Sequence, residues 1–508
     1  MSELFYKEIL QAKNGSKIPA FKSGKAAHSK YDPEREAQNF LGESQGLLFA
    51  AIVGVGGGYH IESFCQRNPQ CKVIAVEKTQ ADLDFLRQNI PCVQKLFQNK
   101  KIIFAAADVP GQLESALEQN YFPAVDGDLK IAALRPWADE AGADWDKFLE
   151  RAKSALKKIS ADYSVQARFG GLWQKNVFCN LLTLKKAQES AALGAPAIDA
   201  SKTAAIVAAG PTLDQTILQI ERERKKYFVI ATDTGYKILC RRGIKADTVV
   251  SIDAQFLSAQ HFCAAASADT IFVLDLAANP SIARAALENG CKIIFTNGGH
   301  PLISFASLFC KRPFLRLQSG GGTVAIAAAD FAKSCGFEKI QIFGADFGYS
   351  SGKPYARGSY LDDLYRADEN RLNGAETAFA RLMLRAPLKM GARGFLQTDI
   401  MLCYQKTMEE FLSSGRFALN GFLYECNFAR AQNSAQALQD NGFDFARFKT
   451  GLEQALLELN SSDELLPQSA LILPSIAFYK NKFGANKIST KEAKKLALNK
   501  ILLYNKLL

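Results

Sequence analysis

Short apolar runs recur along the chain, each ending in a glycine- or aspartate-bearing turn and followed by a stretch whose apolar residues return every three or four positions. The runs at 47–53 and 72–77, then at 203–208, 227–232, 247–252, 270–274, 292–296 and 339–343, are too uniformly apolar to keep one face in water. That predicts strands covered on both sides by helices, and the alternation of the two predicts parallel sheets. The groups of runs are separated by a helical pattern over 144–186, where Phe169, Trp173, Val177, Phe178 and Leu181 recur at packing distance, and by a hinge at 190–202 rich in Ala, Ser, Pro and Gly. Beyond about residue 395 the pattern turns helical again, with amphipathic stretches reaching Leu508.

The stretch 319–349 carries the strongest chemical signal. Ser319, Gly320, Gly321 and Gly322 follow the apolar Phe314, Leu315 and Leu317 and precede Val324, Ile326, Ala327, Phe331 and Ala332 at helical spacing. A strand, a glycine turn and a helix N-terminus form a cradle for an anion, because the first N–H groups of a helix lack internal partners. After Gly336, a further strand runs into Gly344, Asp346 and Tyr349. A second turn of the same kind holds Gly210, Pro211 and Thr212, with Thr212 or Asp214 available to cap the next helix. Successive strands end in Asp233, Asp253, Asp275 and Asn297. Any one of these is a plausible helix cap; as a set at the carboxyl edge of a parallel sheet they favour a nucleotide site.

Nearer the N-terminus, the turn Gly54–Val55–Gly56–Gly57–Gly58 with Glu77 about 20 residues on has the spacing that holds a ribose in Rossmann-type domains. It resembles the class I S-adenosylmethionine-dependent methyltransferases, but no methyl-acceptor motif follows Asp108, and the needs of a tight strand-to-helix turn are the favoured account. The expected architecture is α/β: two Rossmann-like domains with parallel sheets, a helical connector and a helical C-terminal region, with boundaries 1–140, 141–200, 201–425 and 426–508.

Composition narrows the setting. With 508 residues, 48% of them apolar, the chain buries more than one core. Eleven cysteines without a CxxC pair, and an N-terminus without an apolar leader, predict a cytoplasmic protein without a membrane span. The net charge of +11 is concentrated in lysine-rich segments such as 95–101 and 480–500, which read as solvated helix faces rather than a nucleic-acid site.

The sequences at 208–214, 231–253 and 319–349 together strongly resemble the central domain of the motility accessory factor (Maf) flagellin glycosyltransferases, and the likeness extends over nearly the whole chain. The same pattern is similar to family 42 sialyltransferases and to 6-hydroxymethylpterin pyrophosphokinases (MptE-like proteins). The first resemblance implies transfer of a nonulosonic acid, of pseudaminic, legionaminic or sialic type, from a CMP-sugar to Ser or Thr hydroxyls of flagellin, with no cofactor required. The second implies a Mg²⁺-dependent diphosphotransferase; a flagellin-binding assembly factor without catalysis is a third possibility. The matched nucleotide-sugar positions are Gly210, Pro211, Thr212, Asp233, Asn297, Ser319, Gly320, Gly321, Thr323, Tyr355 and Tyr360. Asp233, Asp253, Asp346 and Tyr349 are the catalytic candidates: one of the aspartates as general base, and Tyr349, Tyr355 or Tyr360 as donor to the phosphate. Thr212 stands where the family usually has serine. No histidine follows the tyrosines, so the sialyltransferase base has no counterpart; His300 is a possible substitute but reads better as a cap. No DxD metal motif is present near the site. The long segment after Tyr349 reads as a lid, with Lys353, Arg357 and Arg366 offered to a sugar carboxylate.

Overall fold

The computed structural model describes residues 4–42, 46–194, 198–262, 267–318, 322–367, 369–391, 394–413, 416–420, 423–427, 439–461, 467–485 and 487–508. It divides into two compact units, Met1–Gly170 with Leu473–Leu496 and Gly171–Ile472 with Ala497–Leu508. Neither the connector nor the C-terminal region is a body of its own: the helix α1 (Ala143–Glu189) contributes to both units, and so does the chain end.

In unit 1, a hairpin of β1 (Tyr6–Gln11) and β2 (Lys17–Phe21) precedes a parallel sheet of β3 (Phe49–Val53), β4 (Lys72–Glu77), β5 (Ile102–Ala106) and β6 (Leu129–Ala133) in the order β5-β4-β3-β6. The β3 residues are buried throughout, as a strand covered on both faces requires. The hairpin lies in a segment whose sequence reads as polar; the available signal was Asn14–Gly15, with Gly15 at φ +90°.

Unit 2 is built on β7 (Thr203–Val207), β8 (Tyr227–Thr232), β9 (Thr248–Ser251), β10 (Ile271–Asp275), β11 (Lys292–Asn297), β12 (Leu315–Arg316) and β13 (Lys339–Phe343), all parallel, in the order β12-β11-β10-β9-β8-β7-β13. Two short strands, β14 (Lys389–Met390) and β15 (Leu396–Gln397), form a separate antiparallel pair. Antiparallel β16 (Arg416–Asn420) and β17 (Leu423–Asn427) extend the main sheet beyond β13. This edge was not anticipated, because a strand that pairs antiparallel late in the chain carries no crossover helix to announce it.

Parallel register places the carboxyl ends of β7 to β13 on one edge, so the strand-end acids share that edge. The chain runs outward from β7 to β12, then returns through α4 (Val324–Ser334) to lay β13 against the other side of β7. The loops after β7 and β13 therefore meet where the strand order reverses, on the edge at which such sheets bind ligands. Beneath it, Ile206, Ile230, Val250 and Val273 pack on one face against Ile326, Ala329 and Phe331 of α4. Among the described residues no helix is long and apolar enough to cross a membrane.

Candidate active site

In unit 1 the glycine turn is sealed by the protein itself. A Cβ at Gly54 would lie 2.5 Å from the Trp137 ring, and the Gly57 amide donates to His28 Nε2 at 2.8 Å. Glu77 has no exposed surface. It accepts from the Tyr6 hydroxyl at 2.9 Å, the Val55 amide at 2.9 Å, the Lys78 amide at 2.8 Å and Trp137 Nε1 at 2.5 Å. The ribose-holding acid of other Rossmann domains is here an internal anchor for the N-terminal hairpin. These glycines serve close packing, the account favoured from sequence.

In unit 2 the loops after β7 and β13 are tied together at the switch point. The Gly210 amide donates to Gly344 O at 2.7 Å. The Thr212 amide donates to Asp346 Oδ2 at 2.8 Å, and the Thr212 hydroxyl donates to Asp346 Oδ1. A Cβ at Gly210 would lie 2.5 Å from Gly344 O and 2.6 Å from Asp346 Oδ2, which accounts for glycine there. Two expectations are corrected. The Gly210–Pro211–Thr212 turn is no open phosphate cradle, because its amides are already committed and a carboxylate occupies the place an anion would take. Asp346, 5% exposed, holds two loops rather than standing ready as a base. Neither Thr212 nor Asp214 caps α2 (Leu213–Arg222): Asp214 accepts instead from the Arg357 amide at 2.8 Å and from Lys353 Nζ at 3.1 Å. Asp346→Ala is expected to cost about 2–3 kcal/mol, because it orphans the Thr212 amide and hydroxyl. Urea unfolding would show it as a lower midpoint at unchanged slope.

The remaining acids meet at the ends of β8 and β9. Asp233 begins α3 (Asp233–Arg241) and is 2% exposed. Its Oδ1 accepts from the Thr234 amide at 2.7 Å and its Oδ2 from the Ser251 hydroxyl at 3.0 Å. Burial pushes its carboxyl up to about 7; these two hydrogen bonds oppose the rise and the neighbouring Asp253 charge adds to it. The helix is capped by Thr232, whose hydroxyl accepts from the Gly235 amide at 3.2 Å, so the Asp233 side chain is not consumed as a cap. Asp253 is half-buried, and its Oδ1 accepts from the Gln255 amide at 2.9 Å. Tyr355 lies within electrostatic reach of this group. Burial raises its phenol, the Tyr349 phenol adds to the rise, the Arg385 guanidinium opposes it, and Tyr365 and Asp233 also raise it. Tyr349, 6% exposed, is held by backbone hydrogen bonds to Leu396 at 2.8 and 3.1 Å. Asp233 is thus within electrostatic reach of Asp253 and of Tyr355, and Tyr355 within reach of Tyr349, Tyr365 and the exposed Arg385. Arg385, a lone basic residue just past the helix Ala375–Met383, had no sequence pattern to single it out.

The other expected residues are held by near neighbours. Burial raises Asp275 to about 6, against hydrogen bonds from the Ala277 amide at 2.7 Å and the Gly298 amide at 2.5 Å. Asn297 accepts from the Gly299 amide at 2.8 Å and donates to the Ser304 hydroxyl at 3.2 Å. His300 caps its helix by accepting from the Leu302 amide at 3.2 Å, and burial lowers it to about 4. Tyr360 packs edge-on to His261, ring centroids 5.6 Å apart, under Lys237. Of the supposed lid cations, Lys353 pairs with Asp214 at 3.1 Å and ties the segment to α2, Arg366 pairs with Asp362 at 2.9 Å within the segment, and Arg357 is exposed. Thr323 caps α4 by accepting from the Ala325 amide at 3.3 Å, while Gly322, at φ +69°, has Tyr404 of α5 (Asp399–Ser413) where a Cβ would be. Ser319, Gly320 and Gly321 lie outside the described residues. Grooves of about 250, 370 and 810 Å³ lie on unit 1, but none is lined by a strand-end carboxylate of unit 2, so chemistry rather than cavity size locates the site.

Residues 175–352 match the family of 6-hydroxymethylpterin diphosphokinase MptE-like proteins. Over its whole length the chain shares the fold of a Maf glycosyltransferase from Magnetospirillum magneticum AMB-1, with a TM-score of 0.55, 12% identity and 92% of that chain covered. The chain thus contains an MptE-like domain and has the fold of that Maf glycosyltransferase. Two uncharacterised proteins of Treponema pallidum (strain Nichols) are similar in sequence. One is 44% identical over 117 residues, which are 23% of this chain and 41% of the relative. The other is 35% identical over 153 residues, 30% of this chain and 71% of the relative, and the chain belongs to its family. The MptE-like match runs from within α1 to just past Tyr349, so it contains Asp233, Asp253, Asp275 and Asp346 but neither Tyr355 nor Arg385. The Maf-fold protein therefore carries its acids inside the shared domain and part of its phenol and guanidinium set beyond it.

Proposed function

We propose that unit 2 is the catalytic domain of a glycosyltransferase that moves a nonulosonic acid from a CMP-sugar to a Ser or Thr hydroxyl of flagellin. The observation that carries this reading is the buried Asp233 carboxyl, raised toward neutrality at the carboxyl edge of the sheet, within electrostatic reach of Asp253 and of Tyr355, which is itself within reach of Tyr349 and Arg385. Asp233 is the base: a carboxyl that titrates near neutrality is matched to taking a proton from a hydroxyl at physiological pH, a role worth roughly 10²–10⁴ in rate. The acceptor oxygen bonds to the anomeric carbon, the bond from that carbon to the phosphate oxygen breaks, and CMP leaves with the electron pair. The Tyr355 and Tyr349 phenols stay protonated and donate to the departing phosphate. Arg385 binds an anionic group of the donor.

Calorimetric titration with CMP, and transfer from a CMP-nonulosonate to flagellin, test the proposal. Saturable CMP binding is expected, with kcat/KM falling about tenfold per pH unit below about 7 as Asp233 becomes protonated. Binding of only a pterin diphosphate would overturn it. The match over 175–352 favours one second reading, a diphosphotransferase acting on a pterin. That enzyme would need a divalent cation to bridge the phosphates, so Mg²⁺-dependent transfer from ATP is its signature.

A further inference from the structure

The α1 portion within unit 2 presents two asparagines four residues apart, on one face of the helix. Asn176 is 2% exposed and Asn180 1%, in a stretch otherwise filled by Val177, Phe178 and Leu181. Each amide spends both of its donor hydrogens on backbone carbonyls of the loops after β9 and β10. Asn176 Nδ2 donates to Ala254 O and Ala277 O, both at 3.0 Å. Asn180 Nδ2 donates to Leu276 O and Ala278 O, both at 2.9 Å.

A trans peptide group points its carbonyl and its N–H in opposite directions, so gripping the carbonyl fixes the aim of the N–H that follows it. Every one of these four peptide groups sends that N–H to a strand-end aspartate. The Gln255 amide, across from Ala254 O, donates to Asp253 Oδ1 at 2.9 Å. The Ala277 amide, across from Leu276 O, donates to Asp275 Oδ1 at 2.7 Å. The Ala278 and Asn279 amides donate to the main-chain carbonyls of Asp275 and Asp253, each at 2.9 Å. Each grip also polarises its peptide group and strengthens the N–H as a donor.

We propose that Asn176 and Asn180 are positioning residues, which hold the carbonyl ends of the peptide groups whose N–H ends orient Asp253 and Asp275, and so set the aim of both aspartates toward the bound donor. This deepens the reading of the unit 2 site and rests on it. The four loop carbonyls need donors, and the two amides supply them; the positioning role adds that the N–H ends of the same peptide groups reach the aspartates.

The test uses the full chain with Asn176→Leu and Asn180→Leu, which keep volume and remove the donors, each alone and combined with Asp253→Asn or Asp275→Asn. CMP is the probe. Each leucine variant is expected to weaken CMP binding about tenfold in the wild-type background, and less than about twofold once its own aspartate is replaced, because the effect travels through that carboxylate. An equal loss in both backgrounds marks a purely structural role and overturns the proposal. Carbon-13 titration of the Asp275 carboxyl gives a readout free of ligand. Burial sets its position, opposed only by the Ala277 and Gly298 amides, so Asn180→Leu is expected to move it upward by about half a pH unit. Asn180→Ser, which retains one donor, is expected to give a smaller upward shift and serves if the leucine variant does not fold. An unmoved Asp275 titration in either variant overturns the clamp; wild-type protein that fails to bind CMP, with the titration shifted as expected, counts against the glycosyltransferase reading alone.

Discussion

Asp233→Asn is expected to stabilise the protein while stopping transfer. The unfolded aspartate titrates near 3.9, whereas burial holds the folded carboxyl at about 7. Between those values the folded state binds the extra proton, so the contribution of this group to stability is full below about pH 4 and is lost as pH rises through about 7. Asparagine has the same shape, still accepts from the Thr234 amide, and never ionises. Its advantage therefore grows from about pH 4 and levels off above about 7, at roughly 2–4 kcal/mol. Thermal unfolding at pH 5 and pH 8 separates the cases: the variant should show about a third of its full gain at the lower pH and nearly all of it, several degrees, at the higher. Transfer should fall by about 10²-fold or more, with the acid limb near pH 7 gone. A variant that is active, or no more stable at pH 8 than at pH 5 relative to wild type, would remove Asp233 from the role of base.

The second large effect is expected at Gly235→Ala. Gly235 lies in the first turn of α3, where a Cβ would be 2.3 Å from Val207 O, a backbone atom with no freedom to swing aside. The same knot includes Thr232, whose hydroxyl donates to Val207 O at 3.1 Å and accepts from the Gly235 amide at 3.2 Å. One methyl must therefore push the start of α3 away from the end of β7, break the cap and displace Asp233. The expected cost is about 3 kcal/mol or more, from overpacking together with loss of the cap. Chemical unfolding should show it, with transfer lost as well. Asp233→Asn and Gly235→Ala are thus expected to abolish transfer with opposite signs in stability, which separates loss of a base from loss of its support.

The central strands and their order in the chain were legible in the residues because uniformly apolar runs have only one stable setting, the middle of a parallel sheet with both faces covered. The placing of Asp233, Asp253, Asp275 and Asn297 on one edge followed from that alone, since parallel strands share a carboxyl end. What each polar group faces was another matter. Glu77 and Asp346 follow the same local pattern as Asp233. Glu77 is consumed by Tyr6, 71 positions away, and Asp346 by Thr212, 134 positions away, whereas Asp233 keeps only local partners and Ser251. Nothing in the local pattern singles out Asn176, Asn180 or Arg385. Sequence by itself determined where the central parallel strands lie and which edge carries the acids, because short-range periodicity decides which faces can be buried. Only the tertiary structure decided which acid is spent on another loop and which is left raised toward neutrality, because desolvation and hydrogen-bond partners are supplied by chain segments that no local pattern brings together.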